Sequence, residues 1–170
     1  MEFEKLPSLI GGHIAREPMH RRIYGLAAWS PHPFPKPSVL RLPISALPGR
    51  VPPRIAQLVC LGGITFANVH LSHGQVLNRR QLRRIALELP YCAAVLGDYN
   101  LLGPALLPGF HDVGPREPTH VAADVMPVRL DRCLARGLVC AGARVLPPAA
   151  SDHRAIVVRL TVPEEIRLAA

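Results

Sequence analysis

The chain has 170 residues, 49% hydrophobic and 19% charged; that is the length of a single domain spanning 1–170, and the composition excludes a polar, core-poor disordered chain. A formal net charge of +8 favours polyanionic partners, but eighteen of the twenty basic residues are Arg, a bias that GC-rich coding produces as readily as binding does. No apolar run reaches the ~18 residues of a spanning helix, because Ile55 to Val69 is broken by Gln57, Gly62, Gly63 and Asn68, and the acidic start MEFEKLPSL is unlike a secretory signal, so a soluble, cytoplasmic monomer with no membrane segment is expected.

From Arg22 to Ser30 the apolar run RIYGLAAWS suits a buried strand. The following PHPFPKPS places proline at alternate positions, which cannot donate to a ladder, so an extended surface loop is expected. Val39–Ile44 reads as an edge strand. Ile55–Leu61 and Ile64–Leu71 flank Gly62-Gly63, the pattern of a tight hairpin whose turn needs positive φ. From Gln75 to Leu89 the period becomes helical, with Leu82, Ile85, Ala86 and Leu89 on one face and Arg79, Arg80, Arg83 and Arg84 on a solvated back, and Pro90 ends it. Cys92–Leu96 is a buried-strand pattern running into Gly97-Asp98-Tyr99-Asn100, and a Gly/Pro-rich loop follows through Phe110. Val128–Leu134, Ala141–Leu146 and Arg154–Val162 read as further strands. Strand, helix and strand in this mixture predict an α/β or α+β fold. The cysteines, Cys60, Cys92, Cys133 and Cys140, lie in apolar runs without metal-site spacing and read as buried thiols.

Four polar features sit where a strand-like run meets a loop: His70, Asp98 with Asn100, Asp131, and Asp152-His153. Strand ends are where sheets of this class place their sites, so the four can converge on one rim. Each has a simpler reading alone. Asp98 can start a turn, Asp131 can pair with Arg129 or Arg132, Ser151-Asp152 can cap a turn, and His70 or the loop histidine His120 can be merely structural. Together they form a chemical set: oxygen donors suited to a hard cation such as Mg²⁺ or Mn²⁺, beside imidazoles able to stabilise or protonate phosphoryl oxygens.

At these residues the sequence resembles the endonuclease/exonuclease/phosphatase (deoxyribonuclease-I-like) superfamily. GLAAWSPHPF is similar to the family's GxAxxS strand, FANVHLS to VNTHL, VLGDYN to GDFN, RLDRCL to RIDxxx and SDHRAIVVRL to SDHxPV, in the family's order from Tyr24 to Leu160. The resemblance implies a two-layered β-sandwich flanked by helices and a divalent-metal-dependent phosphoester hydrolase, a phosphodiesterase, nuclease or phosphatase, acting on a phosphoester substrate, nucleic acid included. It implies that Asp98 orients or deprotonates the attacking water, that Asn100 holds the scissile phosphate, that His70 stabilises phosphoryl oxygens and that His153 contacts the phosphate, oriented by Asp131. Asp152 and Glu2, or Glu4 in its place, would hold Mg²⁺ or Mn²⁺. Nothing ahead of Tyr24 resembles the family's first strand with its Asn, so the fold is expected to lack that strand and to gain stability and activity if extended upstream. The alternative is a non-catalytic member that only binds phosphorylated ligands.

Overall fold

The computed structural model describes residues 13–18, 25–45, 53–122 and 125–167. Its centre is a six-stranded sheet in the order β3(Ser38–Arg41), β4(Ile55–Leu61), β5(Ile64–His70), β6(Ala93–Asp98), β10(Asp131–Arg136), β7(His111–Asp112). β1(His13–Pro18) pairs with β2(Gly25–Ser30), β8(His120–Ala122) with β9(Met126–Val128), and β11(Val139–Val145) with β12(Ile156–Thr161). The helices are α1(Gln75–Ala86) and the short α2(Glu164–Arg167). No helix among the described residues is long and apolar enough to cross a membrane.

β4 and β5 form the expected hairpin, with Gly62 at φ 58 and Gly63 at φ 77 supplying a turn that L side chains resist. β5 and β6 are parallel and therefore need a crossover, which α1 provides. α1 buries Asn78, Gln81, Leu82 and Ile85, a stripe at i, i+3, i+4 and i+7. Leu82 and Ile85 are fully buried, which stabilises the fold by roughly 1.5–3 kcal/mol each. Arg79, Arg80 and Arg83 are exposed on the back, and Arg84 pairs with Glu88.

Alternation along the strands sends side chains to two faces of the sheet. Ala67, Val69, Ala93, Val95 and Leu134 pack with α1 on one face, joined by Tyr99, Leu101, Leu107 and Phe110. Ala94, Cys133 and Ala135 point the other way, against Phe66, Leu96, Val158 and Leu160, so β12 covers that face. Asn68 also emerges there and donates to the Ala27 carbonyl of β2 at 3.0 Å. The fold is thus a sheet-rich α+β arrangement with strands layered on one side of the main sheet and a helix on the other.

Several expectations need correction. The single strand over Val128–Leu134 is two, because the buried Thr119 hydroxyl accepts from the amides of Leu130 and Asp131 at 3.1 and 3.0 Å and so interrupts the ladder. The run around Trp29 is half open rather than buried, with Trp29 itself exposed. Among the cysteines only Cys133 is buried. Cys60 is exposed, since it occupies an outward position of β4 just before the hairpin turn. β1, β7, β8 and α2 have no counterpart among the expected elements. Glu2 and Glu4, with the segment ahead of His13, lie outside the described residues.

Candidate active site

Three adjacent strands end at one rim, and register decides what meets there. His70 closes β5, Asp98 closes β6 and Asp131 opens β10. His70 is the register partner of Asp98, and Asp98 of Asp131. Paired positions project to the same face, so the three side chains form a row across the sheet on the face that β12 covers further along.

The close approach of β5 and β6 depends on Gly97. Its φ is +134, and a Cβ there would lie 2.0 Å from the Val69 carbonyl oxygen. No other residue fits one position before the His70–Asp98 pair. Beyond β6 the chain turns at Asn100, whose φ is 47. Asp98 stabilises this turn by accepting from the Asn100 backbone amide at 2.8 Å, while the Asn100 side-chain amide donates to Asp98 Oδ2 and to the Leu71 carbonyl, both at 3.0 Å.

Buried amides under the rim hold these loops. Gln81 of α1 accepts from the Ser72 backbone N–H at 2.9 Å and donates to the Ser72 hydroxyl and the Pro43 carbonyl. Asn78 donates to the Tyr99 and Ser72 carbonyls. Tyr99 is buried with its hydroxyl donating to the Val95 carbonyl at 3.0 Å. The helix therefore anchors both segments that carry site residues, a role invisible in its apolar periodicity.

The two site imidazoles are driven in opposite directions. Burial pushes His70 below the ordinary histidine value and the charge of Arg54 adds to this, against the opposing pull of Asp98. Its ring is consequently neutral near pH 7, and its 3.3 Å approach to Asp98 Oδ2 is a polar contact rather than a full ion pair. For His153 burial also opposes the charged ring, but the 2.7 Å hydrogen bond from Nδ1 to Asp131 and the charges of Asp131, Asp98 and Asp152 outweigh it and raise the value. Asp131 thus pairs with His153. Arg129 instead makes a bidentate pair with Asp112 at 2.7 Å, and Arg132 lies 3.5 Å from the same carboxylate.

A cavity of about 430 Å³ opens over the rim, with His70, His73, Asp98, Asn100, His120 and His153 among its polar lining. Leu102, Met126, Val128 and Leu130 form an apolar wall. His120 bridges to His153 through the backbone, their rings stack at 4.6 Å, and His120 Nδ1 lies 3.1 Å from the Asp152 carbonyl. Among the described residues, His120, Asp152 and His153 form a group whose ligand atoms lie within 4.8 Å of one another, suited to a divalent cation. The oxygen-only set expected for Mg²⁺ is not assembled among them. Glu2 is outside, and the Asp152 side chain, 80% exposed, stands beside His120.

No protein-family model and no curated protein matches the chain by sequence. Solved structures do match. A functionally unknown conserved protein from Enterococcus faecalis V583 gives a TM-score of 0.70 at 18% identity, covering 89% of this chain and 77% of that one. An endonuclease/exonuclease/phosphatase from Beutenbergia cavernae DSM 12333 gives 0.63 at 20% identity, with 81% and 47% covered. D. rerio TDP2 complexed with single strand DNA product gives 0.65 at 13% identity, with 90% and 78% covered. The chain has the endonuclease/exonuclease/phosphatase fold. It spans just under half the length of the Beutenbergia cavernae protein.

Within this fold, five of the residues singled out from the sequence, His70, Asp98, Asn100, Asp131 and His153, come together at the rim. Asp152 is adjacent but turned toward solvent. Sequence reasoning passes over His73 and Arg54 and leaves His120 as a loop histidine. His120 follows the anchoring Thr119 directly, but its neighbour His153 is 33 positions away in sequence, and only folding joins them. Arg54 is one arginine among eighteen, with no local signal to mark it.

Proposed function

We propose that the chain hydrolyses phosphoester bonds by in-line attack of water at the rim of the main sheet, as a phosphodiesterase, nuclease or phosphatase. The observation that carries this reading is the pair of carboxylate–imidazole contacts, His70 with Asp98 and His153 with Asp131, opening on one cavity. Two like groups whose environments move their proton affinities apart are suited to distinct acid and base duties.

Asp98, held by Asn100, orients the attacking water and accepts its proton. Asn100 has both amide hydrogens directed within the protein, which suits it to fixing Asp98 more than to reaching the phosphate. His153 carries Nδ1–H toward Asp131 and presents Nε2 to the phosphoryl oxygens, its charge favoured by that carboxylate. Neutral His70 directs Nε2–H at Asp98 Oδ2, 3.3 Å away, and so helps hold that carboxylate toward the water. Asp152 is the described carboxylate that would hold a divalent cation, which when bound neutralises charge on the phosphate. Positioning and electrostatics on a rigid sheet edge supply the rate.

The D. rerio TDP2 structure holds a single strand DNA product, and this, with the net charge of +8, supports including nucleic acid among the substrates. The apolar wall beside the polar rim is suited to an unpaired base or another apolar group next to the phosphate. The test is hydrolysis of a chromogenic phosphodiester, a chromogenic phosphomonoester and single-stranded DNA, with Mg²⁺, Mn²⁺ or EDTA, beside Asp98→Ala and His153→Ala. Loss of at least about 100-fold in each variant is expected. Turnover unchanged by both substitutions would overturn the mechanism.

A further inference from the structure

The group His120, Asp152 and His153 has a donor chemistry that the hard-cation expectation does not account for. A carboxylate oxygen and a carbonyl oxygen can only accept hydrogen bonds. Asp131 therefore fixes hydrogen on His153 Nδ1 at 2.7 Å, and the Asp152 carbonyl fixes it on His120 Nδ1 at 3.1 Å. In the neutral rings both Nε2 atoms then carry the lone pairs, and a cation there takes the place of a proton. A metal-binding histidine characteristically ties its other ring nitrogen to a carboxylate or a backbone carbonyl in this way, which sets the tautomer and raises ligand basicity.

The third donor is free to adjust. The Asp152 side chain is 80% exposed, so rotating it costs little packing, and one ligand atom from each of the three residues lies within 4.8 Å of the others, a spread that side-chain rotation has to bring toward the roughly 3.3 Å edge of a tetrahedron with zinc-like bond lengths. The stacked rings, 4.6 Å between centroids, are held by the backbone bridge from His120 to His153 and by the Arg154 N–H on the Thr119 carbonyl at 2.7 Å. Both rings line the cavity, so a cation held between them would border it. Three protein donors with one open position is the form of a site that also admits a water or a substrate oxygen.

We propose that His120, Asp152 and His153 form a binding site for a borderline first-row divalent cation of the Zn²⁺ or Co²⁺ class, selected over Mg²⁺ by its two imidazole nitrogens. Mg²⁺ takes oxygen ligands and dehydrates reluctantly, whereas imidazole suits zinc, cobalt and nickel. One consequence rests on the function proposed above. A cation on His153 Nε2 occupies the atom through which that ring faces the phosphate, so Zn²⁺ inhibits the hydrolysis.

The experiment is titration of the full chain with Co²⁺, read by visible d–d absorption, followed by competition with Zn²⁺ and with Mg²⁺ in large excess. One Co²⁺ is expected to bind, to be displaced by Zn²⁺ and to survive Mg²⁺. His120→Ala, with His120→Gln as a second variant should the first misfold, weakens binding by at least ~10-fold. In the wild-type chain, two histidine N–H proton resonances shifted by bound Co²⁺ are expected, which needs no variant. Displacement by Mg²⁺ as effective as by Zn²⁺, unchanged affinity in a folded His120 variant, or a thiolate charge-transfer band marking cysteine ligation would each overturn the site. Binding is read without substrate, so failure of the hydrolase reading leaves this result standing.

Discussion

Gly97→Ala tests how the sheet builds the site. Gly97 pairs with Val69 across the parallel β5–β6 step, at φ +134, and a Cβ would stand 2.0 Å from the Val69 oxygen and 3.0 Å from its carbonyl carbon. Real Cβ contacts essentially never fall below 3.0 Å, so the strands must part by at least about 1 Å, and backbone atoms cannot rotate away as a side-chain tip can. The strained φ alone costs roughly 1–3 kcal/mol. Adding the broken ladder brings the loss to about 4 kcal/mol, in the range reserved for severe core defects. The same displacement separates His70 from Asp98, and a 1 Å error in a catalytic constellation costs on the order of 100-fold in rate. The assay is urea unfolding followed by far-ultraviolet circular dichroism, with Gly62→Ala as the comparison. Gly62 also has positive φ, at 58, but nothing within 4 Å of the added Cβ, so only about 1–2 kcal/mol is at stake there. A Gly97→Ala chain as stable as Gly62→Ala would refute the close-approach argument.

Asp112→Ala strips the bidentate partner from Arg129 on a pair only 13–15% exposed, and a loss of roughly 3 kcal/mol is expected, measured by chemical unfolding. Burial works against this carboxylate, but the hydrogen bond and charge of Arg129, with Arg116 and Arg132, hold its pKa below the ordinary value. Its contribution is therefore complete above the unfolded pKa of about 4 and is lost as pH falls through the lower folded value. Acid unfolding of the wild type should show this loss, and Asp112→Ala should lack it. Asp131→Ala should lower turnover by about 10–100-fold and shift the His153 imidazole to a lower pKa in an NMR titration; an unmoved His153 would show that Asp131 does not act through it. Cys60, exposed, should react at once with a thiol reagent at pH 8, whereas Cys133, 2% exposed and pushed up by burial to about 12, should react only on unfolding.

Local pattern and short motifs make much of this protein legible. The hairpin across Gly62-Gly63, the helix on Leu82 and Ile85, the proline loop and the position of each polar group at a strand end all follow from periods of 2 and 3.6 and from backbone preferences that act over a few residues. The motif order also points to the correct fold. What lies beyond the sequence is pairwise. Asp131 has three neighbours of suitable charge or chemistry in view, and only the register of β10 against β6, with His153 brought back beside it, chooses His153 over Arg129 and Arg132. Buried Asn78 and Gln81 look like ordinary helix residues because nothing local says that three carbonyls, a hydroxyl and an amide wait opposite them. The elements and the inventory of reactive groups were determined by the sequence itself, through local sterics and hydrophobic periodicity. Which imidazole meets which carboxylate, and that His120 joins Asp152 and His153, was decided only by tertiary structure, because strand register and loop anchoring are settled by contacts between residues far apart in the chain.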